Sequence, residues 1–180
     1  MVKIAVFVGS LREKSLNKYL AQALEQRAPE GVEFVYANID VPLFNEDVEA
    51  NYPKEAKDLK DLVESSDGVL FVTPEYNRSV PGVLKNAIDW ASRPYGTNSF
   101  KGKPMGVVGA SLNVAGTAAG QAHLRSIASF LEMKQLGQPE IYLSATDTTF
   151  DTDGKLVDER WAKNLDAYME RFTNWVESEK

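Results

Sequence analysis

The sequence predicts an α/β fold: a five-stranded parallel sheet of order 2-1-3-4-5 with helices on both faces. Three observations predict it. Short apolar runs rich in Val, Ile and Phe alternate with amphipathic stretches at helical spacing along the whole chain. Some of these runs are apolar on both sides, as strands covered by helices on each face require. Five strands in a chain of 180 residues suit the shorter of the two common doubly wound orders.

Taken in order, Val2 to Val8 reads as a buried parallel strand ended by Gly9. Leu16, Leu20, Ala23, Leu24 and Arg27 follow at helical spacing, with Ser15 as N-cap and Pro29 and Gly31 as the stop. Val32 to Ile39 alternates as a second strand, and Pro42 to Pro53 reads as a polar loop punctuated by proline. Ala56, Leu59, Leu62 and Val63 mark a second helix, and Gly68 to Thr73 a third strand. Pro81 to Ala91 forms a third helix, with Pro81 in the first turn where its missing N–H costs nothing. Pro104 to Ala110 is a fourth strand, Thr117 to Leu131 a fourth helix and Leu136 to Leu143 a fifth strand. Trp161, Leu165, Tyr168, Met169, Phe172 and Val176 define the last helix. No repeat, low-complexity tract or linker interrupts residues 1–180, so one domain is expected. The arrangement is the flavodoxin-like three-layer sandwich. Its ligands sit outside the carboxyl ends of the strands, near the switch between strands 1 and 3.

Composition narrows the function. The chain is 43% hydrophobic and 26% charged, as in soluble globular proteins. Having no cysteine, it has no disulfide, thiolate nucleophile or Cys-ligated metal. A net charge of −6 without a basic run gives no basis for a nucleic-acid partner. No stretch approaches the ~20 apolar residues of a membrane span, and the apolar start lacks a signal peptide's length and cleavage site. The cytoplasm is the compartment expected.

Three loops then hold the candidate site. The turn at 9–17 places Ser10, Arg12, Ser15 and Asn17 where a helix N-terminus offers unpaired N–H groups and the positive end of its dipole. That set suits a phosphate monoester. The spacing fits neither a Walker loop nor the G-x-G-x-x-G dinucleotide fingerprint. The same residues also admit a purely structural reading, with Ser15 capping the helix and Arg12 solvated. The loop at 73–82 is stiffened by Pro74 and Pro81. It projects Glu75, Tyr76 and Asn77 toward what could be the edge of a planar heterocycle, or it is a packed loop with Ser79 as the next helix's N-cap. The loop at 109–117 is rich in small residues, Ser111 among them, and lets backbone approach a ligand closely. His123, mid-helix, and the acids Asp147, Asp151 and Asp153 read as structural and solvated respectively; the acids fit no EF-hand spacing.

The stretches Gly-Ser-Leu-Arg-Glu-Lys-Ser-Leu-Asn at 9–17, Pro-Leu-Phe-Asn-Glu-Asp at 42–47 and Thr-Pro-Glu-Tyr-Asn-Arg-Ser-Val-Pro-Gly-Val-Leu-Lys-Asn-Ala-Ile-Asp-Trp at 73–90 resemble the NADPH-dependent FMN reductases, which include bacterial quinone, chromate and azo-dye reductases. The resemblance implies FMN with its phosphate on Ser10, Arg12, Ser15 and Asn17. It places the ring against Pro74, Glu75, Tyr76 and Asn77, with Ser111 near the pyrimidine edge. It also implies a homodimer or homotetramer with flavin sites near the subunit interface. Where the family usually reads Ser-Pro-Gly and later an Arg before Ala-Gln, this chain has Ser111-Leu112-Asn113 and Ala119-Gly120-Gln121.

The reaction so implied takes hydride from NADPH or NADH and passes electrons to a small-molecule acceptor: a quinone, azo compound, metal oxyanion or free flavin. Donor and acceptor would use one ring face in turn, a ping-pong scheme. Arg12, Arg78 and Arg93 are candidate partners for a 2′-phosphate and lean the preference to NADPH. No dedicated acid or base is evident; Tyr76 is the one candidate proton donor, and water serves equally. A flavodoxin-type electron carrier is the alternative, although such carriers have a Thr/Ser-rich phosphate loop. A flavin-free regulatory domain is a third class.

Overall fold

The computed structural model describes residues 1–180. Its strands are β1 (Val2–Val8), β2 (Val32–Tyr36), β3 (Gly68–Val72), β4 (Pro104–Ser111), β5 (Lys134–Gln135) and β6 (Ile141–Ser144). Its helices are α1 (Leu16–Glu25), α2 (Lys54–Glu64), α3 (Gly82–Ala91), α4 (Ala118–Phe130) and α5 (Glu159–Ser178). All pairings are parallel in the order β2-β1-β3-β4-β5, with β6 also on β4. The expected order stands, with six strands in place of five.

The sixth arises because the Leu136–Leu143 run is split. Leu136 N–H still donates to Met105 O, then Gly137 to Glu140 leave the sheet, and Ile141 resumes pairing opposite Val108. Pro139 has no N–H for a ladder. Side chains of α4 cover the break: Arg125 donates to Leu136 O and Gln121 to Ile141 O, each at 2.8 Å. The second strand is shorter than its apolar pattern and ends at Tyr36.

Alternation along the strands sorts the core into two layers. Ile4, Val6, Leu70, Val72 and Val108 pack under α1 and α5; Ala5, Phe7, Val69, Phe71 and Val107 pack under α2, α3 and α4. Gly106 shows how closely α5 approaches: a Cβ there would overlap the Tyr168 hydroxyl and lie 3.0 Å from Phe172 Cε2.

The Pro42–Pro53 segment is more ordered than its composition suggests. It contains a 3-10 turn, Glu46–Asn51, and is strapped to α3. Asn86 Nδ2 donates to Pro42 O at 2.9 Å and its Oδ1 accepts from Phe44 N–H, while the buried Trp90 Nε1 donates to Pro42 O at 2.7 Å. Phe44 and Tyr52 meet the Trp90 ring edge-on at 4.9 and 5.0 Å.

Two glycine substitutions test this packing. Gly106→Ala is expected to destabilise by roughly 1–3 kcal/mol, the usual cost of overpacking. Gly82→Ala, where a Cβ meets nothing within 4 Å, is expected to be neutral or slightly stabilising. Urea midpoints of the two variants check both; equal midpoints would contradict the close approach of α5.

Candidate functional site

The carboxyl ends of β1, β3 and β4 bring three loops together, and each owes its shape to local chemistry. In the turn after β1, Ser10 Oγ accepts from Arg12 N–H and Ser15 Oγ accepts from Asn17 N–H, both at 3.2 Å. Ser15 is thus the N-cap of α1, as its sequence position suggests. Ser10 and Ser15 are buried; Arg12 is exposed, and its guanidinium has no partner in the chain. The backbone N–H groups of Leu11, Glu13, Lys14 and Ser15 have no acceptor either. No acid stands in the first turn of α1. Free amides at the positive end of a helix dipole, beside an unpaired Arg, form an anion site.

Asn17 takes a different part from the one its position suggests. It is buried, and its side chain clasps β4: Nδ2 donates to Ala110 O and Oδ1 accepts from Ala110 N–H, both at 2.9 Å. One amide hydrogen remains for a ligand, so Asn17 mainly fixes the turn against the end of β4.

The turn after β3 is a two-residue hairpin. Tyr76 N–H donates to Ser79 O and Ser79 N–H to Tyr76 O, both at 2.9 Å. Its central residues, Asn77 and Arg78, have φ of 51° and 64°, the positive values of a type I′ turn. Glu75 does not face outward as a ring-edge ligand would. Its Oε2 accepts from Gly120 N–H at 2.9 Å, filling the N-terminus of α4, and Oε1 lies 3.6 Å from Arg78. Gly120 makes that docking possible, since a Cβ there would stand 3.1 Å from Ser79 O. Ser79 is not the N-cap of α3; Pro81 holds that position, and Ser79 Oγ lies 3.0 Å from His123 Nδ1. Tyr76 is 53% exposed, its hydroxyl unpartnered, and Pro74 is half-buried beside it.

The turn after β4 is organised from within. Ser111 Oγ donates to Gly116 O at 2.7 Å and accepts from Asn113 N–H, and Asn113 Oδ1 accepts from Ala115 N–H. Ser111 therefore holds the shape of its own loop, and the N–H groups of Leu112, Val114 and Thr117 stay free. Leu112 and Val114 project outward, 75% and 92% exposed.

Arg93 lies outside this constellation. Its guanidinium donates to Glu49 and Glu46 and sits 5.4 Å over the Phe44 ring, so it is not open to a 2′-phosphate. The acidic loop is a turn held by Asp151 Oδ1, which accepts from Asp153 and Lys155 N–H; it gathers no metal-binding cluster. No helix is long and apolar enough to cross a membrane. The structural weight of Asn86 and Trp90 was missed in the sequence, though both belong to the distinctive 73–90 stretch.

A profile described as NADPH-dependent FMN reductase matches residues 2–148. The chain is 44% identical over 176 residues to a 2-hydroxy-1,4-benzoquinone reductase of Burkholderia sp, covering 97% of this chain and 96% of that one. It is 46% identical over 175 residues to a quinone reductase of Pseudomonas putida, covering 96% and 94%. Among solved structures, FerB, a flavoenzyme NAD(P)H:(acceptor) oxidoreductase from Paracoccus denitrificans, superposes with a TM-score of 0.94 at 43% identity over 99% of both chains.

The clasp on β4 has a measurable consequence. Asn17→Ala leaves the buried N–H and C=O of Ala110 without partners and is expected to cost roughly 2–6 kcal/mol, at about 1–3 for each orphaned group. Urea unfolding measures it; a loss near zero would show that the turn is held by other contacts.

Proposed function

The chain belongs to the NADPH-dependent FMN reductase family, and from that premise we propose that it is an FMN-dependent NAD(P)H:quinone reductase acting as one domain over residues 1–180. The observation that carries the reading is the β1–α1 turn, where four backbone N–H groups and the Arg12 guanidinium, all without acceptors, stand at the positive end of α1. This donor set fits the phosphate of FMN, with Ser10 and Ser15 shaping the turn through their hydroxyls and Asn17 holding it in place. The chemistry FMN supplies when bound is acceptance of hydride from NAD(P)H and donation of the electron pair to the acceptor.

The rest is positioning. Pro74, Tyr76 and Asn77 form the rigid side of the ring site, on a turn docked to α4 through Glu75 and Ser79. Glu75 is committed to the N-terminus of α4, so its carboxylate would hold the turn rather than contact bound FMN. The free N–H groups of Leu112, Val114 and Thr117, on the loop shaped by Ser111, suit the ring's electron-rich edge instead. Reducing a quinone to a quinol takes one hydride and one proton. The unpartnered Tyr76 hydroxyl is the candidate proton donor in the turn, and its exposure lets solvent supply the proton as well.

The quinone is favoured among acceptors by the names of the relatives. Azo compounds, metal oxyanions and free flavin are further candidates that an open ring face would admit. A homodimer or homotetramer in the cytoplasm is the proposed working state, and exposed Tyr95 and Phe130, at 88% and 83%, support self-association.

If one ring face serves donor and acceptor in turn, initial rates at several fixed quinone concentrations will give parallel double-reciprocal lines against NADPH. Intersecting lines would indicate a ternary complex. Anaerobic mixing of the yellow holoprotein with NADPH, followed by quinone, is expected to bleach and then restore the flavin band. A band that NADPH and NADH both leave unbleached would contradict the oxidoreductase reading and favour a one-electron carrier.

A further inference from the structure

Coenzyme preference depends on which cation meets the 2′-phosphate that distinguishes NADPH from NADH. Arg93 is held by two carboxylates, and Arg78 lies 3.6 Å from Glu75. A cleft of about 390 Å³ adjoins the β1–α1 turn, between α1 and the end of β2. Ser10 and Leu11 of the turn contribute to its lining, with Lys18 and Gln22 from α1 and Tyr36 and Asn38 from the end of β2. Lys18 is half-buried, yet its ammonium has neither an ion pair nor a hydrogen bond within the chain. Its stem lines the cleft, and its ammonium is left free to meet an anion.

The end of β2 points the same way. In the dinucleotide-binding members of the doubly wound folds an Asp or Glu near this position takes the ribose 2′-hydroxyl of NADH, and a nearby cation takes the 2′-phosphate of NADPH. Here Tyr36, Ala37 and Asn38 carry no acid. The one carboxylate lining the cleft, Glu25, accepts from the Tyr36 hydroxyl at 2.7 Å. It stands seven residues from Lys18, about 10 Å along the helix. Burial, then the bond to Glu25, pushes the Tyr36 phenol well above its ordinary pKa, so it keeps its proton and this bond at neutral pH.

We infer that this cleft takes the adenosine end of NADPH, with Lys18 on the 2′-phosphate and Tyr36 walling the base. The inference rests on the NAD(P)H oxidoreductase reading and adds to it a site that selects the coenzyme.

Two charge-changing variants test it on exposed or half-buried positions of α1. Lys18→Met removes the ammonium. Gln22→Glu places a carboxylate one turn along, where it draws on Lys18 and repels a phosphate held there. Calorimetry on the FMN-loaded protein is expected to show adenosine 2′,5′-bisphosphate binding weakened roughly tenfold or more in each variant, the scale of one charged hydrogen bond. Adenosine 5′-monophosphate should change far less, and the ratio of KM for NADPH to KM for NADH should rise with the loss of bisphosphate affinity. If the parent binds the two nucleotides equally, or if both weaken alike in both variants, the cleft does not read the 2′-phosphate. Calorimetry decides this without turnover, whereas a flavin that neither coenzyme bleaches would instead overturn the oxidoreductase reading.

Discussion

Two hydrogen bonds between Asn17 and the backbone of Ala110 fix the geometry of the whole carboxyl edge. The Asn17 amide treats the end of β4 as a strand partner would, donating to its carbonyl and accepting from its N–H at 2.9 Å in a buried setting. In a low-dielectric interior such bonds are costly to leave unmade. They hold the first turn of α1 over the sheet, so the turn with the free amides cannot drift relative to the loop that follows β4. Both halves of the proposed flavin site are thereby referred to one strand end.

A contrast between two helix N-termini then shows which of them is left open to an anion. The start of α4 is filled by the Glu75 carboxylate, which accepts from Gly120 N–H and offsets the helix dipole. The start of α1 has a neutral Ser15 cap, no acid in its first turn and several N–H groups left over. The same Glu75 contact docks the β3–α3 turn on α4, with Ser79 beside His123 as a second point. On the far side of α3, Asn86 and Trp90 hold the segment that begins at Val41. The loops at this edge are thus tied to helices by side chains, which is the rigidity that positioning a planar ring demands.

Much of this was legible in the sequence because it is periodic or local. Alternating strands and helices and the Ser15 cap follow from spacing within a few residues, and the sheet order from the number of strands in a chain of this length. The split of the last strand was missed, although Gly137-Gln138-Pro139-Glu140 interrupts the apolar residues between Leu136 and Ile141, where pairing with β4 resumes. The roles of Asn17, Glu75 and Asn86 were hidden for a different reason. Each has a polar side chain of the kind that meets ligands, but its partner lies 93, 45 and 44 or 45 residues away in the chain. Arg93 was misread in the same way, because Glu46 and Glu49 reach it only once the proline-punctuated segment folds back. Residue type and loop position marked out the candidate loops; they did not separate the groups left free from those already committed.

The account stands or falls on the β1–α1 turn as a phosphate site, and the most direct test compares FMN with riboflavin, which lacks the phosphate. Fluorescence titration of the apoprotein and its Arg12→Ala variant measures both affinities. The variant should lose roughly 1.5–3 kcal/mol of FMN binding, as for a hydrogen bond between charged groups, and bind riboflavin as the parent does. Equal losses for FMN and riboflavin, or an unchanged affinity for FMN, would show that Arg12 and its turn do not hold the phosphate.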